Sequence, residues 1–218
     1  MRRPPRPPVD FADRYAWNPR IGKRGGYYDY AAHRIVSERE VRQAAEQFID
    51  GAKQAMRAAT EQLRDGQLTV AEWRIRMREE VRDAQRALGA VEAGGIRNLT
   101  PSDWGWIGQR TRTQYQYLDR FAEQIVSGKQ KLNGQALTRA EMYADAARST
   151  GQEQARRKGR AAGRRQARRV LGAAEHCATC LEEAAKGWRP VDAPPPVGLR
   201  PIGDSLCRTN CKCHFEFQ

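Results

Sequence analysis

Apolar residues recur at helical spacing through most of this chain. Val41, Ala45, Phe48, Ala52, Met56, Ala59 and Leu63 step by three or four. So do Val70, Trp73, Met77, Val81, Ala84, Leu88 and Val91. A third stripe runs through Trp104, Ile107, Thr111, Leu118, Phe121 and Ile125, with Tyr115 and Tyr117 beside it. Such periods mark amphipathic helices that bury one face, so these side chains are read as core. Each stripe follows an N-terminal signal. Ser37…Glu40, Thr69…Glu72 and Thr138…Glu141 have capping-box spacing, and Thr100-Pro101-Ser102-Asp103 is a variant with proline at the first helical position. Asp65-Gly66, Gly94-Gly95 and Ser127-Gly128 supply the stops.

Short connections between long amphipathic helices predict antiparallel neighbours. The expected fold is therefore mainly α, an antiparallel bundle of about four or five helices. The last of these is expected to run from about 138 to 173. No strand-like alternation is read before residue 176, whereas His214-Phe215-Glu216-Phe217 alternates like a short strand.

Four segments follow from composition. Residues 1–30 read as an extended arm, because Arg2-Arg3-Pro4-Pro5-Arg6-Pro7-Pro8 favours polyproline II and aromatic and basic residues follow it. Residues 31–150 form the helical body. Residues 151–175 form an Arg-rich helix, and residues 176–218 a cysteine-rich knuckle. The net charge of +13 falls mainly on two of these. Residues 151–175 hold eight basic and two acidic side chains, and residues 1–30 hold seven and three. Arg156, Arg157, Lys158, Arg160, Arg164, Arg165, Arg168 and Arg169 crowd one short stretch. Like charges so close repel unless something neutralises them, and phosphates would do so. These eight are the candidate nucleic-acid contacts. No motif that reads base edges frames them, so sequence-independent binding is expected. Gly159 and Gly163, four apart among alanines, allow a close backbone approach.

All five cysteines lie near the C-terminus, as Cys177-x2-Cys180 and Cys207-x3-Cys211-x-Cys213. Two thiolates on one tight turn can reach one tetrahedral ion. The favoured ligands for a structural zinc are Cys177, Cys180, Cys207 and Cys211, with Cys213 competing and His176 and His214 in reserve. In an extended segment Cys211 and Cys213 would point apart. Disulfides and free thiols are the other readings. An odd cysteine count without a secretory signal favours a reducing compartment. No stretch is long and apolar enough for a membrane span. Paired carboxylates with a metal-binding histidine, a nucleophile–base pair and a phosphate-cradling glycine loop are all missing, so neither an enzyme nor a small-molecule substrate is expected.

Two blocks of sequence resemble the MuF-like head morphogenesis proteins, the minor head or minor capsid proteins of tailed phages. The first comprises Asp65-Gly66-Gln67-Leu68-Thr69 with Trp73, then Gly94-Gly95, Thr100-Pro101-Ser102-Asp103-Trp104-Gly105 and Tyr117-Leu118-Asp119-Arg120-Phe121-Ala122. The second is the tail, with His176-Cys177-x2-Cys180, Gly187-Trp188, Pro201-Ile202-Gly203 and Cys207-x2-Asn210-Cys211-x-Cys213. Together they span about residues 60–218. Many members carry a histidine near the position of Arg208, where this chain has Cys207 one residue earlier, so the ligand set stays open. The resemblance implies a structural virion protein of the phage head, made in the host cytoplasm, near the portal. Its partners would be portal or major capsid protein and double-stranded phage DNA. Some relatives carry a fused toxin domain after the cysteine motif, and none is expected here. The alternative is a free zinc-knuckle protein that binds nucleic acid.

Overall fold

The computed structural model describes residues 10–21, 25–172, 174–208 and 211–218. Four long helices dominate it: α2 (Glu38–Arg64), α3 (Val70–Glu92), α4 (Pro101–Val126) and α5 (Gly134–Ala161). They follow a short helix α1 (Phe11–Arg14) and the antiparallel sheet β1 (Tyr15–Asn18), β2 (Gly26–Asp29) and β3 (Arg34–Val36). A second small sheet, α6 (Ala178–Ala185) and several turns make up the C-terminal module.

Three of the four expected helix starts are capping boxes with both halves formed. In each the hydroxyl of Ser37, Thr69 or Thr100 accepts from the amide three residues on, and the carboxylate there reaches back to the cap amide. The fourth is not. Asn133 caps α5 by accepting from Gln135 and Ala136, and the Thr138 hydroxyl donates to the Gly134 carbonyl instead. A single asparagine cap one turn earlier lengthens the helix and leaves Thr138 inside it.

The opposite end of α5 also departs from expectation. The helix stops at Ala161 rather than near 173. Gly163 takes φ +77°, the Arg164 amide donates to the Gly159 carbonyl, and the Gly163 amide donates to that of Arg160. This is a Schellman stop, which needs a residue that tolerates left-handed backbone. The chain then enters strand β4 (Gln166–Val170). The expected Arg-rich helix is thus half helix and half turn and strand.

The bundle core lies where predicted, with two shifts. Trp73 and Phe121 are fully buried and meet edge-to-face at 5.3 Å, and Phe121 stacks on Tyr143 at 6.3 Å. Ile49 fills the position that the stripe gave to Phe48, while Phe48 stacks on Phe11 at 4.5 Å. Trp104, read as core, is 38% exposed on α4. Trp73 needs a hydrogen-bond acceptor inside this core. Its indole Nε1 donates to the Thr60 hydroxyl at 3.0 Å, which donates to the Met56 carbonyl at 2.8 Å.

Residues 10–21 and 25–30 of the segment read as an arm belong to the fold, and residues 1–9 and 22–24 lie outside the described residues. Tyr15 is buried, and the Trp17 amide donates to the Gly94 carbonyl at 2.6 Å. Gly95 permits this approach, because a Cβ there would sit 2.6 Å from the Tyr15 carbonyl oxygen. Asp29, almost fully buried, is held by the Arg14 fork at 2.9–3.2 Å and by the amides of Ala31 and Ala32.

Thr60→Val keeps the shape of the core and leaves the Trp73 N–H without an acceptor. Denaturant unfolding should show a loss of about 1–3 kcal/mol. An unchanged midpoint would mean that the indole is not held by Thr60.

Candidate metal centre and the arginine segment

The C-terminal sheet has the order β5-β4-β6, with β5 (Arg189–Pro190) and β6 (His214–Phe217) both antiparallel to β4. The alternation read at His214–Phe217 is this outer strand. Along β4 the buried positions are Ala167 and Arg169, so the strand points an arginine at the core. The core of the module is thin: Ala167, Val191, Leu199, Ile202 and Phe215 with Cys180, Cys211 and Cys213. Three of those eight buried side chains are thiols, so apolar burial contributes little here.

The module is seated on α5. The Phe217 ring fills the space beside Gly159, where a Cβ would come within 3.0 Å of it. The Phe215 amide donates to Gln152 at 3.0 Å, and Gly203 packs against Ser149. The predicted close approach at Gly159 is made by an aromatic ring, while Gly163 serves as the helix stop.

Cys177 is the N-cap of α6, and Cys180 lies in its first turn with its amide donating to the Cys177 carbonyl at 2.9 Å. Both thiols therefore face one side. Cys207 precedes Arg208, whose φ of +47° and amide bond to Ser205 reverse the chain. The turn returns Cys211 and Cys213 to the same place. Cys177, Cys180 and Cys207 form one group with sulfurs within 4.8 Å of one another, and Cys180, Cys211 and Cys213 form a second. Cys180 belongs to both. Its sulfur is 3.4 Å from that of Cys207 and 3.6 Å from that of Cys211. Thiolates around one tetrahedral ion at about 2.3 Å lie roughly 3.8 Å apart. The cluster can hold a metal ion.

All five predicted cysteines thus converge, with one correction. Cys211 and Cys213 do not point apart, because residues 211–213 precede β6 and are not in the strand. His176 lies outside both thiol groups but borders them: its Nε2 meets the Gly172 carbonyl at 2.8 Å, and its Nδ1 is hydrogen-bonded to the Cys213 sulfur at 3.9 Å. His214 lies on β6 opposite Val170, outside both thiol groups.

The thiols differ in acidity. At Cys177 burial opposes ionisation, but the amides of Cys180 and Cys207 and the neighbouring thiols bring its pKa down to about 7. At Cys211 the Cys213 thiol hydrogen bond leads, and with the remaining donors it outweighs burial and gives a pKa of about 5. Cys207 is pushed up, first by burial, and Cys213 is pushed up, first by its bond to Cys211. A cation bound among these sulfurs would displace the protons of the thiols that still carry them, so its binding would release protons and weaken as pH falls.

The eight candidate nucleic-acid contacts are mostly engaged within the protein. Arg156 donates twice to the Val191 carbonyl, at 3.0 and 2.7 Å. Lys158 bridges the Asn98 carbonyl and Asp103, both at 2.7 Å, and Arg157 joins Ser102 and Asp103. Asp103 is buried. Desolvation would raise its pKa, yet Lys158 and the hydroxyl and amide of Thr100 hold it far below the usual carboxylate range. Arg160 pairs with Asp192, and Arg168 forks onto Glu216 at 2.6–2.8 Å while lying over the Trp188 ring. Arg169 is buried. Among the described residues only Arg164 and Arg165, both exposed on the turn after α5, have no side-chain partner here. The expected neutralising phosphates are thus largely replaced by the chain's own Asp103, Asp192 and Glu216. Sequence reasoning missed these partners because they lie 32 to 55 residues away.

Among the described residues no helix is long and apolar enough to cross a membrane. Comparison of the chain with family models, curated proteins and solved structures finds no match.

Because Cys180 belongs to both thiol groups, Cys180→Ser should abolish metal retention through desalting. Cys213→Ser leaves four thiols and should retain about one ion per chain. Elemental analysis distinguishes the two, and full retention by Cys180→Ser would contradict this geometry.

Proposed function

We propose that the chain is a structural head protein of the kind its sequence resembles. In this reading it is a minor head protein that associates with the portal or capsid shell of a tailed phage, and it has no catalytic role. The observation that carries the reading is the convergence of five thiols in the core of a module seated on the longest helix. Cys180, Cys211 and Cys213 are buried, so an ion among them would have no position open to substrate. That favours a structural ion over a catalytic one.

Zinc suits an all-thiolate donor set, being indifferent to redox change and content with tetrahedral sulfur. Bound there, it would supply cross-links between α6 and the Cys207–Cys213 segment. The chain's own residues do the rest. The Arg208 turn presents the second half of the site, Phe217 and Gln152 hold the sheet on α5, and Glu183 ties Lys186 and the Arg200 amide to the module. The helical body offers the surface for portal or capsid, with Tyr117 and Val126 exposed on α4.

Contact with packaged DNA belongs to the same reading, on a smaller surface than the arginine count suggests. Arg164 and Arg165 are free to meet phosphate, with Arg160 and Arg168 at the margin. Arg156, Arg157, Lys158 and Arg169 serve the fold.

Two measurements test this. Co-expression with the portal protein of the same genome should give a complex that survives sedimentation, and purified heads should contain the chain. Its exclusion from both would sink the assembly reading. Separately, Arg164→Gln with Arg165→Gln should reduce the slope of log K against log salt by about two for duplex DNA. An unchanged slope would place the DNA contact on another surface.

A further inference from the structure

Arg169 is 2% exposed, in the middle of the thin C-terminal core. Its Nη1 donates to the Ser205 hydroxyl at 2.8 Å and points at the Cys180 sulfur from 3.7 Å. Its Nη2 donates to the carbonyls of Arg200 at 2.5 Å and Pro201 at 3.2 Å. Nε has no partner. Its partners among the described residues are formally neutral apart from the sulfur. Among the described residues no carboxylate lies within ion-pair distance of it. Glu183, the carboxylate that feels its field, is taken by Lys186 at 2.7 Å and by the Arg200 amide at 2.8 Å.

A guanidinium cannot shed its proton inside a protein, and a buried cation without a counter-charge costs several kcal/mol, roughly. Evolution of a stable core would ordinarily remove such a group, and a methionine would fill the same volume. The arrangement makes sense if an anion forms beside it. A divalent ion held by four thiolates carries a net charge of about −2, spread over the sulfurs. Cys180, shared by both thiol groups, is the sulfur that the guanidinium touches.

We infer that Arg169 is the counter-ion of a metal–thiolate centre, placed on β4 to compensate the charge at Cys180. The inference rests on the metal reading above. Arg169 is then a positioning residue, not a ligand. Through Nη2 it also ties the centre to the 200–205 turn, which leads into Cys207. A metal-filled centre and a closed turn each favour the same placement of one side chain.

The test uses the full chain with zinc and with cobalt as a spectroscopic substitute. Affinity is read by competition with a chelating dye, and stability by melting in excess chelator. Arg169→Met removes the charge and keeps the bulk, whereas Arg169→Lys keeps the charge and loses the fork. The inference expects Arg169→Met to weaken metal affinity about 10- to 100-fold. It expects Arg169→Lys to fall by much less, with the thiolate-to-cobalt band of the lysine variant moved to lower energy as hydrogen bonds to sulfur are lost. Equal affinity in wild type and Arg169→Met overturns it. So does an equal loss in both variants, which is the signature of packing alone. If Arg169→Met does not fold, an unshifted cobalt band in Arg169→Lys overturns it. A wild-type chain that takes up neither metal refutes the metal reading itself and this inference with it.

Discussion

The bundle and the C-terminal module share one helix, α5, whose middle has no free side. Along its middle α5 is buried on every face from Tyr143 to Gly151, including Asp145, Arg148, Ser149 and Thr150. Polar groups can occupy such positions only if each finds a partner. Arg148 pairs with Asp145 and forks onto Glu46, Asp145 also meets Lys53 at 2.9 Å, and Thr150 bonds Gln85. Alanine and glycine fill the remaining positions and let α2 and α3 approach closely. A Cβ on Gly151 would lie 3.1–3.4 Å from Glu92 and Leu88. The bundle and the C-terminal module are both built on that one helix.

The same logic governs charge. A basic excess read along the sequence looks available to a polyanion. In residues 151–175, folded, most of it bonds the chain's own acids and carbonyls. Lys158 and Arg157 converge on a carboxylate that simultaneously caps α4, so one buried Asp103 joins the start of one helix to the end of another. Linear charge density is therefore a poor guide to surface charge wherever a strand pairs with the segment concerned.

Much of the fold is legible in the sequence where local chemistry decides it. Ser37, Thr69 and Thr100 could be read because a capping box is satisfied within four residues. The stripes of α2 and α3 were legible because a bundle buries one face of each helix. Elements set by distant partners were hidden. Strands β1–β3 hold only three or four residues each, too few for a period, and they exist because Tyr15 and Trp17 pack beside Gly94-Gly95. Strand β4 was hidden because its inward side chain is Arg169, the opposite of what alternation seeks. The stop at Gly163 was in the text, but a helix-friendly run of alanine and arginine on both sides masked it. The five thiols were the legible part of the site. Its second layer was not, since nothing local links Arg169 to Cys180.

The seating of the module on α5 ties the integrity of the tail to that of the helix. The Phe217 ring occupies a notch that exists because residue 159 carries no side chain, and the Phe215 amide needs the Gln152 Oε1 where the helix presents it. A side chain at position 159, or fraying of the last turns of α5, would lift β6 off the helix. The pairing of β4 with β6 would then lose its floor, so the end of α5 acts as a keyway for the tail.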